Sequence, residues 1–384
     1  MDERRNEPRR FGVEEEYLLL SESDGAPVDR AEETIGTLPE HGDTASREFF
    51  ASQLETATGI CTSAAQAEHE LREFRRTAAA AAAARGAIVA GSGLPPVGGD
   101  VVGTVTPETR YRAIDQEMRA AGAYQYVTGT HVHVEVPSRD AGVAVLRHLA
   151  RWAPALLAMT ANSPVWCGEA TGFASWRSIM SRNWPLTSYP PEFFDGADYD
   201  ASIAALVESG VLLDSGLVTW LARLSERYPT VELRIADAQL SPREAVDFAV
   251  VVRALVERAL HDIEHGLDHP RIAPGLLDGA IWNAARNGLE TTLVDPVAGE
   301  SLPAFDLLER MIEQVRPELV RFGDMPRVEH MLVRLREEGS PARRQIARFA
   351  ERGIAGLLEL YREGSESPRP RAPEPEVEPS LGAP

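Results

Sequence analysis

The sequence contains no lysine: all 39 of its Lys and Arg positions are arginine. That absence excludes a P-loop lysine, a Schiff-base lysine and a lysine general base. A phosphate or carboxylate must therefore be held by arginine, backbone N–H groups or metal. Cysteine is scarce as well. Cys61 and Cys167 lie far apart with no C-x-x-C spacing, which leaves no disulfide framework and no zinc ribbon. Long apolar runs are also missing. The most apolar helical stretch, Val143 to Ala161, is broken by Arg147, His148, Arg151 and Pro154 and cannot span a bilayer. The charged start MDERRNEPRR leads into no apolar stretch, so no signal peptide is read, and a reduced, cytoplasmic protein is expected. Positive charge is in deficit too. A net charge of -20 repels phosphate backbones and anionic membranes, and no dense Arg cluster stands outside the N-terminal tail. Neither nucleic acid nor membrane is expected as a partner.

What is present supports a folded domain. Hydrophobic residues make up 43% of the 384 positions, enough for a sizeable core. FGVEEEYLLL from Phe11 reads as a strand, a second strand starts at Phe49 in FFASQLETAT, and AIVA from Ala87 is a third. THVHVEVP from Thr130 and YPTVELRIADAQL from Tyr228 alternate most clearly. Between them run helices. Ser63 caps a long Ala-rich one that Gly86 stops, another covers about 141–161, and Ser241 with Pro242 opens a third. Beyond Gly275 the pattern reads as helical throughout. The alternation of a doubly wound sheet is missing, so the expected class is α+β with a largely antiparallel sheet, one face on helices and one polar. Residues 1–10 read as a flexible N-terminus, 11–362 as a single domain, and 363–384 as a Pro-rich disordered tail.

Strand alternation then sorts the polar residues. Glu14 and Glu16 share a face and Glu15 takes the other. His131, His133 and Glu135 share a face, as do Glu232 and Arg234, and Glu55 is the only ionisable group of its strand. In one sheet these would crowd carboxylates and imidazoles onto a single surface, an arrangement that is stable only with cations. Many carboxylate oxygens with one or two imidazoles suit Mg²⁺ or Mn²⁺. Plainer readings stand beside this: a solvated sheet face, satisfied histidines, and a cross-strand Glu232–Arg234 ion pair. Trp176, Arg177, Arg182 and Trp184 lie in a turn-rich segment typical of small-anion binding, or plug the core. Arg223 and Arg227 precede the Glu232 strand and are candidates to neutralise phosphate.

Taken in order, FGVEEEYLLL, SQLETAT, GTHVHVEVP, ANSPVWCGEATGFASWRS and YPTVELRIAD resemble the motifs of the glutamate–cysteine ligase type 2 family, the bacterial carboxylate–amine ligases. The resemblance runs from Phe11 to the helices near Tyr361. It implies a glutamine-synthetase-like, saddle-curved antiparallel sheet with the active site on its concave face and helices behind. It implies ATP-dependent amide formation through an acyl phosphate, with glutamate–cysteine ligation, strong or weak, as the associated activity. By motif position, Glu14, Glu16, Glu55, His131 and Glu232 would carry the metals, and Arg234 would lie over the transferred phosphate. Arg223, Arg177, Trp176 and Arg182 would serve the nucleotide or the acid, and His133 and Glu135 would orient the ligands. The expected partners are ATP, an amino-acid carboxylate and an amine, with a homodimer as a further expectation. Two other readings stay open: a non-catalytic nucleotide- or amino-acid-binding homologue, and a metal-dependent hydrolase.

Overall fold

The computed structural model describes residues 8–38 and 44–365. The expected flexible residues 1–7 and, of the tail expected from 363, residues 366–384 lie outside the described residues, whereas 363–365 end the helix Pro341–Ser365. Arg9 and Arg10, counted with that flexible start, are tied down: Arg9 pairs with Glu257 at 2.5 Å and Arg10 Nε donates to Glu135 at 2.9 Å.

The strands are β1 (Phe11–Ser21), β2 (Ala45–Arg47), β3 (Gln53–Ala57), β4 (Ala87–Ala90), β5 (Gly129–Glu135), β6 (Val165–Trp166), β7 (Glu169–Ala170), β8 (Ala222–Leu224), β9 (Thr230–Asp237), β10 (Thr292–Asp295) and β11 (Glu300–Pro303). Seven of them form one sheet in the order β2-β3-β1-β5-β9-β8, with β4 also on β1, and every pairing is antiparallel. The fold is α+β, as expected.

β1 explains why EEE and LLL can share one strand. From Phe11 to Glu16 buried and half-buried residues alternate, whereas Tyr17 to Leu20 are all buried. Phe11, Val13, Val132, Val134, Val231 and Leu233 pack into a core with Val246 and Val250 of the helix Pro242–Glu264. Tyr17 and Leu19 meet Phe74 and Ala78 of the helix Ala64–Ala83, while Leu18 and Leu20 meet Leu357 and Tyr361 of the helix Pro341–Ser365. The second half of the strand is therefore covered on both faces and reads as continuously apolar. In the first half one face stays open, and that is where Glu14 and Glu16 project.

The long helices begin where their caps say. Ser63 accepts from the Gln66 N–H at 3.2 Å, and Ser241 accepts from Glu244 N–H with Pro242 in the first turn. Each such cap contributes about 1 kcal/mol. Three readings need correction. The second strand starts at Gln53, because Phe49 and Phe50 belong to a loop whose rings pack inward, Phe50 lying 4.7 Å from Tyr126. The helix expected at 141–161 is two, Arg139–Leu149 and Ala153–Thr160, joined by a 3₁₀ turn at Ala150–Trp152 next to Pro154, which has no N–H to donate. The stretch beyond Gly275 is not wholly helical: β10 and β11 form a hairpin whose turn uses Gly299 at φ +70°. The short edge strand β8 had no periodic signal of its own.

Candidate active site

Register places the polar residues opposite one another. Glu14 faces His131 across β1–β5, Glu16 faces Glu55 across β1–β3, and His133 faces Glu232 across β5–β9. The β5–β9 ladder slips by one: Thr130 pairs with Ala236 but Val132 with Leu233, so β9 carries one extra residue opposite His131. Such a bulge re-aims the side chains beside it. Here Glu232, Arg234 and Asp237 all come to the polar face. Gly129 makes room for this crowding, since a β-carbon there would lie 2.5 Å from Arg177 Nη2 and 3.1 Å from His131 Nε2.

Glu14, Glu16, Glu55, His131, His133, Glu232 and Arg234 line a cleft of about 1000 Å³. Glu14 lies 3.5 Å from His131 Nδ1 and 3.2 Å from His133 Nε2, and Glu16 lies 3.7 Å from His131 Nε2. The Gly129 N–H donates to Glu16 at 2.6 Å. Glu232 is nearly fully buried; Arg223 Nε donates to it at 2.8 Å and Arg234 Nη1 bonds its other oxygen. Arg234 also reaches His131 Nδ1 at 3.4 Å. His133 Nδ1 lies 3.0 Å from the Thr230 hydroxyl.

The electrostatics divide the carboxyls. Burial works against ionising Glu14, but hydrogen bonds with His131 and His133 hold it far below the usual range. Glu232 is also buried, yet Arg234 and Arg223 hold it well below that range. Glu55 goes the other way, pushed well up by burial and then by Glu48, Glu14 and Glu16. Glu48 is pushed up to about 7 by burial and by Glu16, and burial also raises Glu16 against the pull of Arg234 and Arg177. Burial and then Arg234 lower His131 to about 4, so its ring is neutral at neutral pH and offers a lone pair.

Such a face is costly as it stands. Two unit charges about 4 Å apart repel by roughly 4 kcal/mol at an effective dielectric of about 20, and several carboxylates meet here at such range. A divalent cation fits the donors. Glu14, His131 and Glu232 form one set, and Glu16, Glu55 and His131 another, each with its ligand atoms within 4.8 Å of one another. His131 Nε2 is buried without a hydrogen-bond partner, so one imidazole nitrogen awaits one.

Of the remaining expected site residues, Arg177 and Arg223 line the cleft. Trp176 and Arg182 do not. Trp176 packs edge-on against Phe173 at 5.2 Å, and Arg182 forms a forked pair with Asp278 at 3.0 and 3.2 Å on the outer surface. Trp184 lines the cleft instead, its Nε1–H donating to Gln125 Oε1 at 2.9 Å. Glu135 is taken up by Arg10 rather than orienting a ligand. Two residues escaped the sequence reading. Glu48 sits in the β2–β3 connection, where no alternation marks it, and Asp237 is assigned to the wrong face by strict alternation from Arg234.

Solved proteins that share this fold are named as a ligase and a synthetase. The structure superimposes on a glutamate–cysteine ligase from Francisella tularensis, solved in complex with AMP, with a TM-score of 0.70 over 94% of this chain and 89% of that one at 12% identity. It also superimposes on a bifunctional glutathione synthetase from Pasteurella multocida, with a TM-score of 0.64 over 93% of this chain and 52% of that one at 16% identity. At such identities the likeness shows the fold. Sequence goes further: residues 10–363 match the model of glutamate-cysteine ligase family 2, and the chain belongs to that family. A relative from Mycobacterium sp. (strain KMS), named "Putative glutamate--cysteine ligase 2-2", is 36% identical over 92% of this chain and 98% of its own. One from Salinispora arenicola, named "Putative glutamate--cysteine ligase 2", is 40% identical over 87% of this chain and 89% of its own.

Proposed function

We propose that the protein is an ATP- and Mg²⁺-dependent carboxylate–amine ligase that forms γ-glutamylcysteine from glutamate and cysteine on a glutamine-synthetase-like sheet. The observation that carries the reading is the juxtaposition, on one sheet face, of two overlapping carboxylate–imidazole sets with Arg234, Arg223 and Arg177. Arginine with carboxylates, and no lysine, is the equipment for holding anionic reactants together.

In the first step an oxygen of the glutamate γ-carboxylate attacks the γ-phosphorus of ATP, and the bond to the β-phosphate oxygen breaks, giving an acyl phosphate and ADP. In the second, the cysteine amine, having lost a proton, attacks the acyl carbon, and phosphate leaves. Both meetings bring like charges together, so the protein must supply fixed positive charge where charge builds up. Arg234, held against Glu232, offers the guanidinium nearest the sheet centre. Arg223 is fixed from two directions, donating to Glu232 and to the Val218 carbonyl at 2.9 Å, and so stays aimed without reorganising. Glu14, Glu16, Glu55, His131 and Glu232 would hold Mg²⁺, or Mn²⁺ in its place, which when bound screens the phosphate oxygens and fixes their alignment.

The test is release of ADP and phosphate by purified protein with Mg·ATP across a panel of amino acids and amines, with the product mass read out. Release is expected only with a suitable acid and amine together, and EDTA should abolish it until Mg²⁺ or Mn²⁺ is restored. Release that persists in chelator would overturn the metal assignment, and amide hydrolysis without nucleotide would overturn the ligase reading. A control follows from the correction above. Because Arg182 pairs with Asp278 on the surface, Arg182→Ala should leave kcat and both KM values within about twofold, as exposed pairs contribute little. A tenfold rise in KM for the acid would return Arg182 to the site.

A further inference from the structure

The cleft holds a second buried arginine system, and its partner carboxylate has no role in the reading above. Asp237, the last residue of β9, is fully buried. Its Oδ2 accepts from the Asn162 N–H at 2.7 Å and from the Ser163 hydroxyl at 2.7 Å, and its Oδ1 accepts from the Ser175 hydroxyl at 2.8 Å. Both serines pass the constraint on. Ser163 Oγ accepts from the Arg177 N–H at 3.0 Å, and Ser175 Oγ accepts from the Ser178 N–H at 3.1 Å. One carboxylate thus sets the backbone of the turn Trp176–Met180, which carries Arg177, and also faces its guanidinium, with Arg177 Nη1 at 3.8 Å. Asn162 anchors the other end of the network. Gln345 Nε2 donates to Asn162 Oδ1 at 2.6 Å, and the Tyr361 hydroxyl donates to Gln345 Oε1 at 2.8 Å, both from the helix Pro341–Ser365.

Arg177 is held but not saturated. It is 8% exposed, lines the cleft, and has an Nε–H with no partner. Its one close hydrogen bond from the side chain runs from Nη2 to the Arg234 carbonyl at 3.3 Å. Arg75, at 1% exposed more deeply buried, has its fork taken up by Glu15, Tyr17 and the carbonyls of Gln239 and Leu240. A buried guanidinium with spare donors on the wall of a binding cleft is a place for a ligand acceptor.

We propose that Asp237 is a positioning residue: through Ser163, Ser175 and its own charge it aims the Arg177 guanidinium so that this cleft-lining group receives an anionic oxygen of a substrate. The inference rests on the ligase reading. Anionic oxygens come both from the carboxylate of the acid and from the phosphates of ATP, and the kinetics distinguish them. Asp237→Asn keeps the volume but turns an N–H₂ toward groups that donate. It should raise one KM, for the acid or for ATP, by roughly 10- to 100-fold while the other stays within about twofold, since small displacements of a clamp cost about that much. Arg177→Met should give the same selective rise. In the double variant the two effects should not add, because Asp237 acts through Arg177.

Ser175→Ala, which removes one hydrogen bond, should move the same KM by a smaller factor and serves if Asp237→Asn folds poorly. Equal changes in both KM values, additive effects in the double variant, or no change would each overturn the proposal. Calorimetric affinities for glutamate and for Mg·ATP across the same variants read the same selectivity without turnover. A wild-type protein that releases no ADP would therefore sink the ligase reading while leaving this inference separately decided.

Discussion

Glu232→Gln should lower ADP release by roughly 100-fold or more, the scale on which loss of one fixed charge at a reacting centre is felt. Glu232 is 1% exposed and ionised, with its two oxygens divided between Arg223 and Arg234. It also completes the donor set with Glu14 and His131, and His133 Nε2 lies 3.9 Å away. The amide removes the charge at nearly constant volume and leaves two half-buried guanidiniums without their shared anion. Activity is thereby lost in two ways, through a weakened cation site and through arginines no longer held in place. Mn²⁺ binding measured by electron paramagnetic resonance separates them: the first predicts weaker Mn²⁺ binding without nucleotide, the second does not. Arg223→Ala, which leaves Glu232 its bond to Arg234, should keep most Mn²⁺ affinity while losing activity. Wild-type ADP release from Glu232→Gln would remove Glu232 from the chemistry altogether.

The polar face was legible in the sequence wherever backbone geometry is regular. Period-two alternation placed Glu14, Glu16, His131, His133, Glu232 and Arg234 on one side of their strands, and the register brings those strands together. Alternation failed where regularity does. The extra residue in β9 moves Asp237 to the face that a strict count denies it, and a bulge leaves no mark in hydrophobic pattern. Glu48 lies in a connection with no period, and only burial in the folded protein and the nearness of Glu16 raise its pKa. Trp176 and Arg182 were read into the cleft because a turn-rich segment with aromatics and arginine resembles a binding loop. Which of its side chains point inward is decided by a five-residue helical turn that Ser175 caps, and composition cannot see that orientation. The β10–β11 hairpin was missed for a related reason. Its strands are four residues each and lie between helices, so no window was long enough to show alternation.

The middle glutamate of EEE leads to the other large effect, on stability rather than catalysis. Glu15 points away from the cleft and is fully buried, where Arg75 of the helix Ala64–Ala83 meets it at 2.5 Å and the Tyr17 hydroxyl donates to its second oxygen. Arg75 also donates to the Leu240 carbonyl at 2.9 Å and the Gln239 carbonyl at 3.0 Å, so one side chain ties the helix, β1 and the end of β9 together. Arg75→Met leaves a carboxylate with no countercharge in a region closed to water. Breaking a buried pair from one side costs about 3–5 kcal/mol, a large share of a typical stability of about 5–15 kcal/mol. The urea midpoint should fall accordingly. Glu15→Gln should cost less, because Arg75 keeps both carbonyls, and joint replacement by apolar residues, Glu15→Leu with Arg75→Met, should recover much of the loss. Since Glu15 lies across the strand from Glu14 and Glu16, the folded fraction of each variant should keep the wild-type Mg²⁺ dependence, whereas Glu14→Gln and Glu16→Gln should shift it with little change in midpoint. Equal shifts in Mg²⁺ dependence at Glu14, Glu15 and Glu16 would mean that the two faces of β1 are not functionally distinct, and the division of labour drawn from its alternation would fall.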